Sequence, residues 1–242
     1  LPDQGALTQH TMNLKRIQEF AEGFKQHLQT EQALESLYVW ESQRHFYENW
    51  QLDTENFAAL YDQSLQNSET RRLWVRQAYF PKQRMLEFID MQPEFVRAMF
   101  KELYQEEKDL QGRVDRFLFY CDELLREYQE LHPKTIETEH FHRDGYQMVS
   151  LYLAFRYPDQ YALYDFDAFQ HTLRQLKAPN VPLTHDLERY FKVLRTLYKL
   201  ISKDEALMAA HQQRLDPDKH YLQPSLLLAW EYIRFCQHIN LD

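Results

Sequence analysis

One window of the sequence combines basic and aromatic side chains in a pattern that suits nucleic-acid binding. Between Glu69 and Glu87 the chain carries no acidic residue. The basic side chains of this window are Arg71, Arg72, Arg76, Lys82 and Arg84. Guanidinium and ammonium groups pair with phosphate oxygens, and Trp74 and Tyr79 could stack on bases. The window therefore predicts nucleic-acid contacts by its cations and base stacking by Trp74 and Tyr79. The alternative is a solvated helix face with its aromatic side chains turned inward.

A second group of residues has the types that bind metal ions. His140 and His142 lie among Glu137, Glu139 and Asp144. The spacing of two histidines around one residue occurs in zinc sites. No distant partner completes a recognisable ligand pattern, so the sequence favours a polar loop, with no metal and no other cofactor.

Motifs for enzyme catalysis are absent from the sequence. It has no phosphate-binding glycine loop, no G-x-S-x-G turn and no C-x-x-C pair, and it has only four glycines in all. Four tyrosines could line a pocket for a flipped base, or could simply pack in the core with bonded hydroxyls. These are Tyr152, Tyr157, Tyr161 and Tyr164. No nucleophile, base and stabiliser occur together, so we expect a protein that is not an enzyme.

The elements that position these residues are predicted to be helices. Tight hairpins need glycine at positive φ, and glycine is scarce here, whereas good helix formers are plentiful. The composition predicts an all-α fold, an irregular multi-helix bundle. Cys121 and Cys236 each lie in an apolar helical run, which predicts two buried thiols in a reducing cytoplasm.

Several helix boundaries can be predicted from local signals. The segment Gln147–Arg156 is apolar at nearly every angle, which is typical of a helix in the middle of a core. Pro158 disfavours helical geometry in the residue before it, so this helix should end there. Asp165 and Thr184 are predicted to cap the next two helices. Ser202–Glu205 fits a capping box, with a helix starting at its second residue.

Composition along the chain predicts two helical subdomains. Residues 1–12 have the appearance of a disordered tail or the remnant of an expression tag. Residues 13–132 form the predicted N-terminal subdomain, 133–141 the linker and 142–242 the C-terminal subdomain. No secretion signal or membrane segment is visible, so the predicted location is cytoplasmic.

Three segments together resemble one protein family. They are LYVWESQRHFYENWQLDTENFAAL (Leu37 to Leu60), the stretch from Tyr79 to Phe117, and HRDGYQMVSLYLAFRYPDQYALYDFDAF (His142 to Phe169). They resemble the N-terminal helical region of McrB-like AAA+ NTPases, which belong to modification-dependent restriction systems. In that family a motor domain follows this region. The resemblance implies a targeting part and supplies no catalytic residues.

Two hypotheses of function follow. The first is a non-catalytic targeting module of a McrB-like anti-phage restriction NTPase, which assists recognition of foreign or modified DNA. The second is a protein–protein interaction scaffold that joins motor subunits or recruits an effector. The net charge of -9 favours the second, because phosphate binding needs concentrated Lys and Arg. The implied partners are DNA and the NTPase motor or an effector, with no membrane.

Overall fold

The computed structural model of the chain describes residues 13–66, 70–73 and 80–239, and only the backbone of residues 70 and 71. Within these ranges the chain forms helices and no β-strand, which confirms the predicted all-α fold. Two 3-10 helices, Glu31–Ser36 and Thr70–Leu73, accompany the α-helices. The α-helices are α1 (Leu14–His27), α2 (Leu37–Asn49), α3 (Phe57–Ser64), α4 (Pro81–Met91), α5 (Pro93–Leu103), α6 (Leu110–Leu131), α7 (Gln147–Arg156), α8 (Phe166–Gln175), α9 (Leu187–Ile201), α10 (Glu205–Gln213) and α11 (Leu227–His238). Nowhere in the described ranges does a helix combine the length and apolar composition needed to cross a bilayer.

Helices α2 to α6 pack in the order of the chain, whereas α1 packs against helices from the other end of the chain. Helices α2 to α6 pack against their neighbours in sequence, and α11 packs against α8 and α9. The first helix, α1, lies against α9, α10 and α11, where the Tyr232 hydroxyl donates to the Ile17 carbonyl at 3.0 Å. The predicted N-terminal and C-terminal parts therefore share one hydrophobic core, and the division at residues 133–141 stays a prediction.

Helix α7 lies in the middle of this core. Its residues from Met148 to Phe155 are all buried, as its apolar surroundings require. It ends before Tyr157 and Pro158, so its predicted bounds are confirmed. The Gln43 side chain of α2 donates to the Ala154 carbonyl at 2.9 Å, which satisfies a polar group inside the core.

An aromatic cluster around Phe100 joins α5 to its neighbours. The Phe100 ring centroid lies 5.0 Å from that of Tyr152, 5.1 Å from that of Trp50 and 5.2 Å from that of Phe117. All three contacts are edge-on, the arrangement that suits aromatic quadrupoles. Phe100 is fully buried, so it connects α2, α6 and α7 through a single side chain.

Two of the predicted helix caps are wrong. Asp165 caps α8 as predicted, because its carboxylate accepts the backbone N–H three residues on at 3.0 Å. Thr184 is exposed and precedes α9, whose cap is Asp186 with a corresponding bond of 2.9 Å. Ser202 follows the last residue of α9, and Asp204 caps α10 instead. In both cases an aspartate two residues further along accepts the free N–H groups of the helix.

Candidate functional site

Two cavities on one side of the bundle share a wall. The first, of about 540 Å³, lies between α1, α2 and α11. The second, of about 640 Å³, lies between the start of α7, the start of α8 and α11. Both are lined by Tyr38, Arg72, Trp230 and Arg234. We call the depression that they form together, centred on these four residues, the arginine groove.

Each arginine at the centre of the groove lies over an aromatic ring. The Arg72 guanidinium carbon is 4.1 Å from the Tyr38 ring centroid, and that of Arg234 is 4.8 Å from the Trp230 ring. In α11 the second pair follows from helix geometry, because side chains four residues apart lie on the same face. Arg234 also donates to the Asp165 carboxylate at 2.9 Å. Two guanidinium groups thus lie over aromatic rings at the junction of the cavities.

The first cavity has a buried ion pair in its floor. Arg214 donates to the carboxylate of Glu231, which also accepts from Ser36 and from the Trp40 indole. Burial alone raises the pKa of Glu231, but Arg214 and these donors hold it below its ordinary value. The carboxylate is therefore ionised and neutralised by Arg214. Arg72 and Arg234 add two further guanidinium groups to the lining, and guanidinium groups pair with anionic groups.

The second cavity has several groups in its lining that accept hydrogen bonds, beside the two arginines and apolar side chains. The carboxylates of Asp144, Asp165 and Asp167 face it together with the amides of Gln147 and Gln237. Carboxylate and amide oxygens accept from the amino groups of nucleobases. The groove thus pairs a cavity suited to an anion with one suited to hydrogen-bond donors.

The structure brings one residue of the predicted basic window to the groove. Arg72 lines both cavities. Arg76, Trp74 and Tyr79 lie outside the described residues, as does the side chain of Arg71. Their predicted contacts remain predictions.

Two other predicted contacts, Lys82 and Arg84, lie on α4 and do not line the groove. The Lys82 ammonium pairs with Asp62 at 2.8 Å. Arg84 is 4% exposed and donates to Glu87 at 2.6 Å, and its guanidinium lies 4.7 Å from the Tyr128 ring centroid. Burial directs the Arg84 side chain to protein partners, so its placement gives no support for a phosphate contact.

The groove also contains residues that the sequence did not predict as a site. Tyr38, Trp230 and Arg234 complete it, and Tyr38 is far in the chain from the other two. The only local signal for these groove residues was the spacing of Trp230 and Arg234, which predicts that their side chains stack on one helix face.

His140 and His142 are buried, so a polar loop is the wrong description of their side chains. Together with Cys121 of α6 they form what we call the histidine–cysteine cluster, in which one ligand atom of each lies within 4.8 Å of the others. Their residue exposures are 4%, 0% and 0%. Phe141 between the histidines has φ of 60°, a left-handed conformation that few bulky residues adopt. It turns both imidazoles to the inside.

Hydrogen bonds around the cluster fix the protons of both imidazoles. His140 Nδ1 accepts from the His142 backbone N–H at 3.1 Å, and its Nε2 then donates to Asp122 at 2.9 Å. His142 Nδ1 donates to the His140 carbonyl at 2.6 Å, which leaves Nε2 to accept from the Tyr152 hydroxyl at 3.0 Å. Burial lowers the pKa of both histidines, that of His142 to about 3, and raises the pKa of the Cys121 thiol. Both imidazoles are therefore neutral.

The tyrosines considered for a base pocket do not line one pocket together. Tyr157 donates to the Tyr104 carbonyl at 3.0 Å and lines neither cavity of the groove. Tyr152 is fully buried and its hydroxyl lies 2.7 Å from that of Tyr61. Tyr161 is bonded to Glu106 and Arg113. Tyr164 lines the second cavity. Core packing thus accounts for Tyr152 and Tyr161.

Comparison of the chain with protein-family models, with curated proteins and with solved structures finds no match. The resemblance to the McrB-like NTPases stays a prediction.

Proposed function

We propose that the chain is a non-catalytic recognition module that binds a nucleic-acid strand in the arginine groove. In this proposal it serves the NTPase motor of a McrB-like restriction system, in the cytoplasm, and helps it to select foreign or modified DNA. The supporting observation is the pair of guanidinium groups, Arg72 on Tyr38 and Arg234 on Trp230, at the junction of the two cavities.

The proposed binding mode assigns one part of a nucleotide to each cavity. A phosphate lies in the first cavity and pairs with Arg72 and Arg234, because guanidinium groups bind phosphate oxygens through two parallel bonds. A base lies in the second cavity, where Asp144 and Asp167 accept from its amino group. Between them, the flat guanidinium planes offer a surface on which a base can stack.

The size of the groove favours an unpaired strand over a duplex. Cavities of about 540 and 640 Å³ are in the range of small-molecule sites, and a base reaches such a cavity only when it is unstacked. The net charge of -9 repels a long polyanion. We therefore expect a short contact that depends on a few arginines.

Fluorescence anisotropy with a labelled single-stranded DNA oligonucleotide tests this proposal. The double variant Arg72→Gln/Arg234→Gln should weaken binding by roughly tenfold or more, since hydrogen bonds to charged groups contribute about 1.5–3 kcal/mol each. The matched control is Arg156→Gln. Arg156 also lies over a tyrosine ring, that of Tyr157 at 5.1 Å, but it lies outside the groove. The control should bind as the unaltered chain does.

Raising the salt concentration from about 50 to about 200 mM should weaken binding, with a smaller slope in the double variant because fewer phosphate contacts remain. Equal binding by the double variant and the control would overturn the assignment of the groove. No binding of single-stranded or duplex DNA by the unaltered chain would overturn the nucleic-acid function itself.

A second candidate function, the protein-interaction scaffold, is favoured by one surface of α5 and α6. Phe95 and Phe119 are 41% and 54% exposed, and both contact the ring of Tyr120. The neighbouring cavity of about 390 Å³ is lined by Glu123, Glu127 and Glu130 with a single arginine. The glutamates of this surface suit the basic side chains of a partner segment, and the exposed phenylalanines suit its apolar side chains.

Calorimetric titration with a basic amphipathic peptide tests the scaffold. Replacement of Phe95 by Ser should abolish the heat of binding, whereas replacement of Phe80, which is 51% exposed on another surface, should not. An unaltered chain that binds no such peptide would count against this function.

A further inference from the structure

We propose that the histidine–cysteine cluster of Cys121, His140 and His142 is a zinc site that fastens the loop before α7 to α6. Imidazole nitrogen and thiolate sulfur are the ligands that Zn²⁺ prefers in proteins. The three side chains come from two separate segments, and one ligand atom of each already lies within 4.8 Å of the others.

The distances require little movement for an ion to bind. With bonds of about 2.0–2.3 Å in a tetrahedron, the ligand atoms around a zinc ion are about 3.3–3.6 Å apart. Each pair in the cluster is at most 4.8 Å apart, so it has to approach by at most roughly 1.5 Å to reach the tetrahedral spacing.

The groups around the histidines are those that accompany zinc ligands. A ligating histidine almost always donates its other ring N–H to a carboxylate or a backbone carbonyl. His140 donates from Nε2 to Asp122 at 2.9 Å, and His142 donates from Nδ1 to the His140 carbonyl at 2.6 Å. The remaining nitrogen of each ring carries a lone pair. Zinc would take these lone pairs in place of the present donors, the His142 backbone N–H and the Tyr152 hydroxyl.

The backbone supports the same arrangement. Phe141 has φ of 60°, a left-handed conformation that a bulky residue keeps only where its surroundings enforce it. The conformation brings both imidazoles to the same side as Cys121. The buried position of the cluster is typical of a structural zinc site, which is closed to solvent.

The fourth position of the tetrahedron lies beside the Tyr152 hydroxyl, which is next to His142. The Asp122 carboxylate does not fill it, because it is bonded to Nε2 of His140, on the opposite side of the ring from Nδ1. Asp122 therefore orients the imidazole. Binding releases the proton of the Cys121 thiol to solvent, because the thiolate is the ligand.

The first test measures metal in the whole chain produced with zinc in the medium. Elemental analysis should find about one zinc ion per chain, as expected for one closed site. After chelation removes the zinc, added Co²⁺ should produce an absorption band of thiolate-to-cobalt charge transfer. The variant Cys121→Ser should lose this band. The matched control is Cys236→Ser, because Cys236 is the other buried free cysteine, and it should keep the band and the zinc.

A second variant avoids the risk that a core substitution unfolds the chain. Asp122 is 41% exposed, and Asp122→Asn should weaken Zn²⁺ binding about 10–100-fold, the usual effect of removing a partner of a ligating histidine. Asp115→Asn is the control on the same helix, where the exposed carboxylate accepts from Gln111, and it should bind zinc normally. A folded chain with neither zinc nor a cobalt band would overturn the proposal, and so would equal binding by Cys121→Ser and Cys236→Ser. Either result would leave a hydrogen-bonded core cluster only.

Discussion

The indole N–H of Trp40 donates a hydrogen bond of 3.1 Å to the carboxylate of Glu231, across 191 residues of sequence. The same carboxylate accepts from Ser36 and Arg214, so a buried anion joins α2, α11 and the end of α10. Since Glu231 lies in the floor of the arginine groove, the stability of the fold and the shape of the groove depend on the same residue.

Replacement of Glu231 by Gln should lower the free energy of unfolding by about 3–5 kcal/mol, because it leaves the Arg214 charge buried without its counter-ion. The control is Glu94→Gln. Glu94 pairs with Arg97 but is 81% exposed, and its loss should change the free energy by about 0–1 kcal/mol. Urea denaturation of the two variants measures the difference. Equal losses of unfolding free energy in the two variants would show that burial of the Glu231–Arg214 pair does not determine its contribution to stability.

Stability should fall between about pH 6.5 and pH 4 through His211. Burial, and then the charge of Arg214, lower the pKa of His211 from 6.5 to about 4, against the opposing charge of Glu231. In this pH range His211 binds a proton in the unfolded chain but not in the folded chain. Acidification therefore favours unfolding. The full effect is about 3 kcal/mol at 1.36 kcal/mol per pKa unit.

The variant His211→Gln isolates this contribution, because its side chain keeps an acceptor for Arg214 and cannot titrate. The free energy of unfolding of the unaltered chain, minus that of the variant, should decrease as the pH falls from 6.5 to 4. Denaturation at several pH values measures it. A difference that does not vary with pH would assign the acid sensitivity to other groups.

The cap of α9 can be tested with two neighbouring residues. Asp186→Ala should lower the free energy of unfolding by about 1 kcal/mol, because the N–H of Arg189 loses its acceptor at 2.9 Å. Thr184→Ala should have little effect, since Thr184 is exposed and lies before the cap. Thermal denaturation distinguishes them. A larger loss at Thr184 would restore the cap predicted from sequence.

Phe100→Ala should lower the free energy of unfolding by about 3–5 kcal/mol, because it opens a cavity among the rings of α2, α6 and α7. Phe119→Ala should stay within about 0.5 kcal/mol, since Phe119 is 54% exposed. Urea denaturation with both variants gives the comparison. A small loss at Phe100 would mean that the surrounding rings close the space.

The sequence was sufficient for features that depend on near neighbours in the chain. The bounds of α7 follow from its apolar residues and Pro158, and both act within one or two turns. The caps at Thr184 and Ser202 were wrong because threonine, serine and aspartate all accept free N–H groups. When two possible N-cap residues lie close together, the sequence alone does not show which of them the helix follows.

The sites depend on residues that only folding brings together. Nothing in the local sequence links Tyr38 and Arg72 to Trp230 and Arg234. Arg84 was assigned to the surface by its charge, although its spacing of four from Phe88 places it on the same, buried face of α4. The histidine pair was recognised, but its partner Cys121 lies on α6 and gave no pattern of its own.

The position of α1 has a consequence for how the chain is made. Phe24 packs against Tyr232 and Phe235 with ring centroids 5.6 and 5.5 Å apart, so α1 has its apolar partners in α11, which is translated much later. During translation the apolar face of α1 stays exposed to solvent until α11 has been made. Segments exposed in this way are prone to aggregate. The newborn chain should therefore need a chaperone, or a slow finishing step, until α11 has been synthesised.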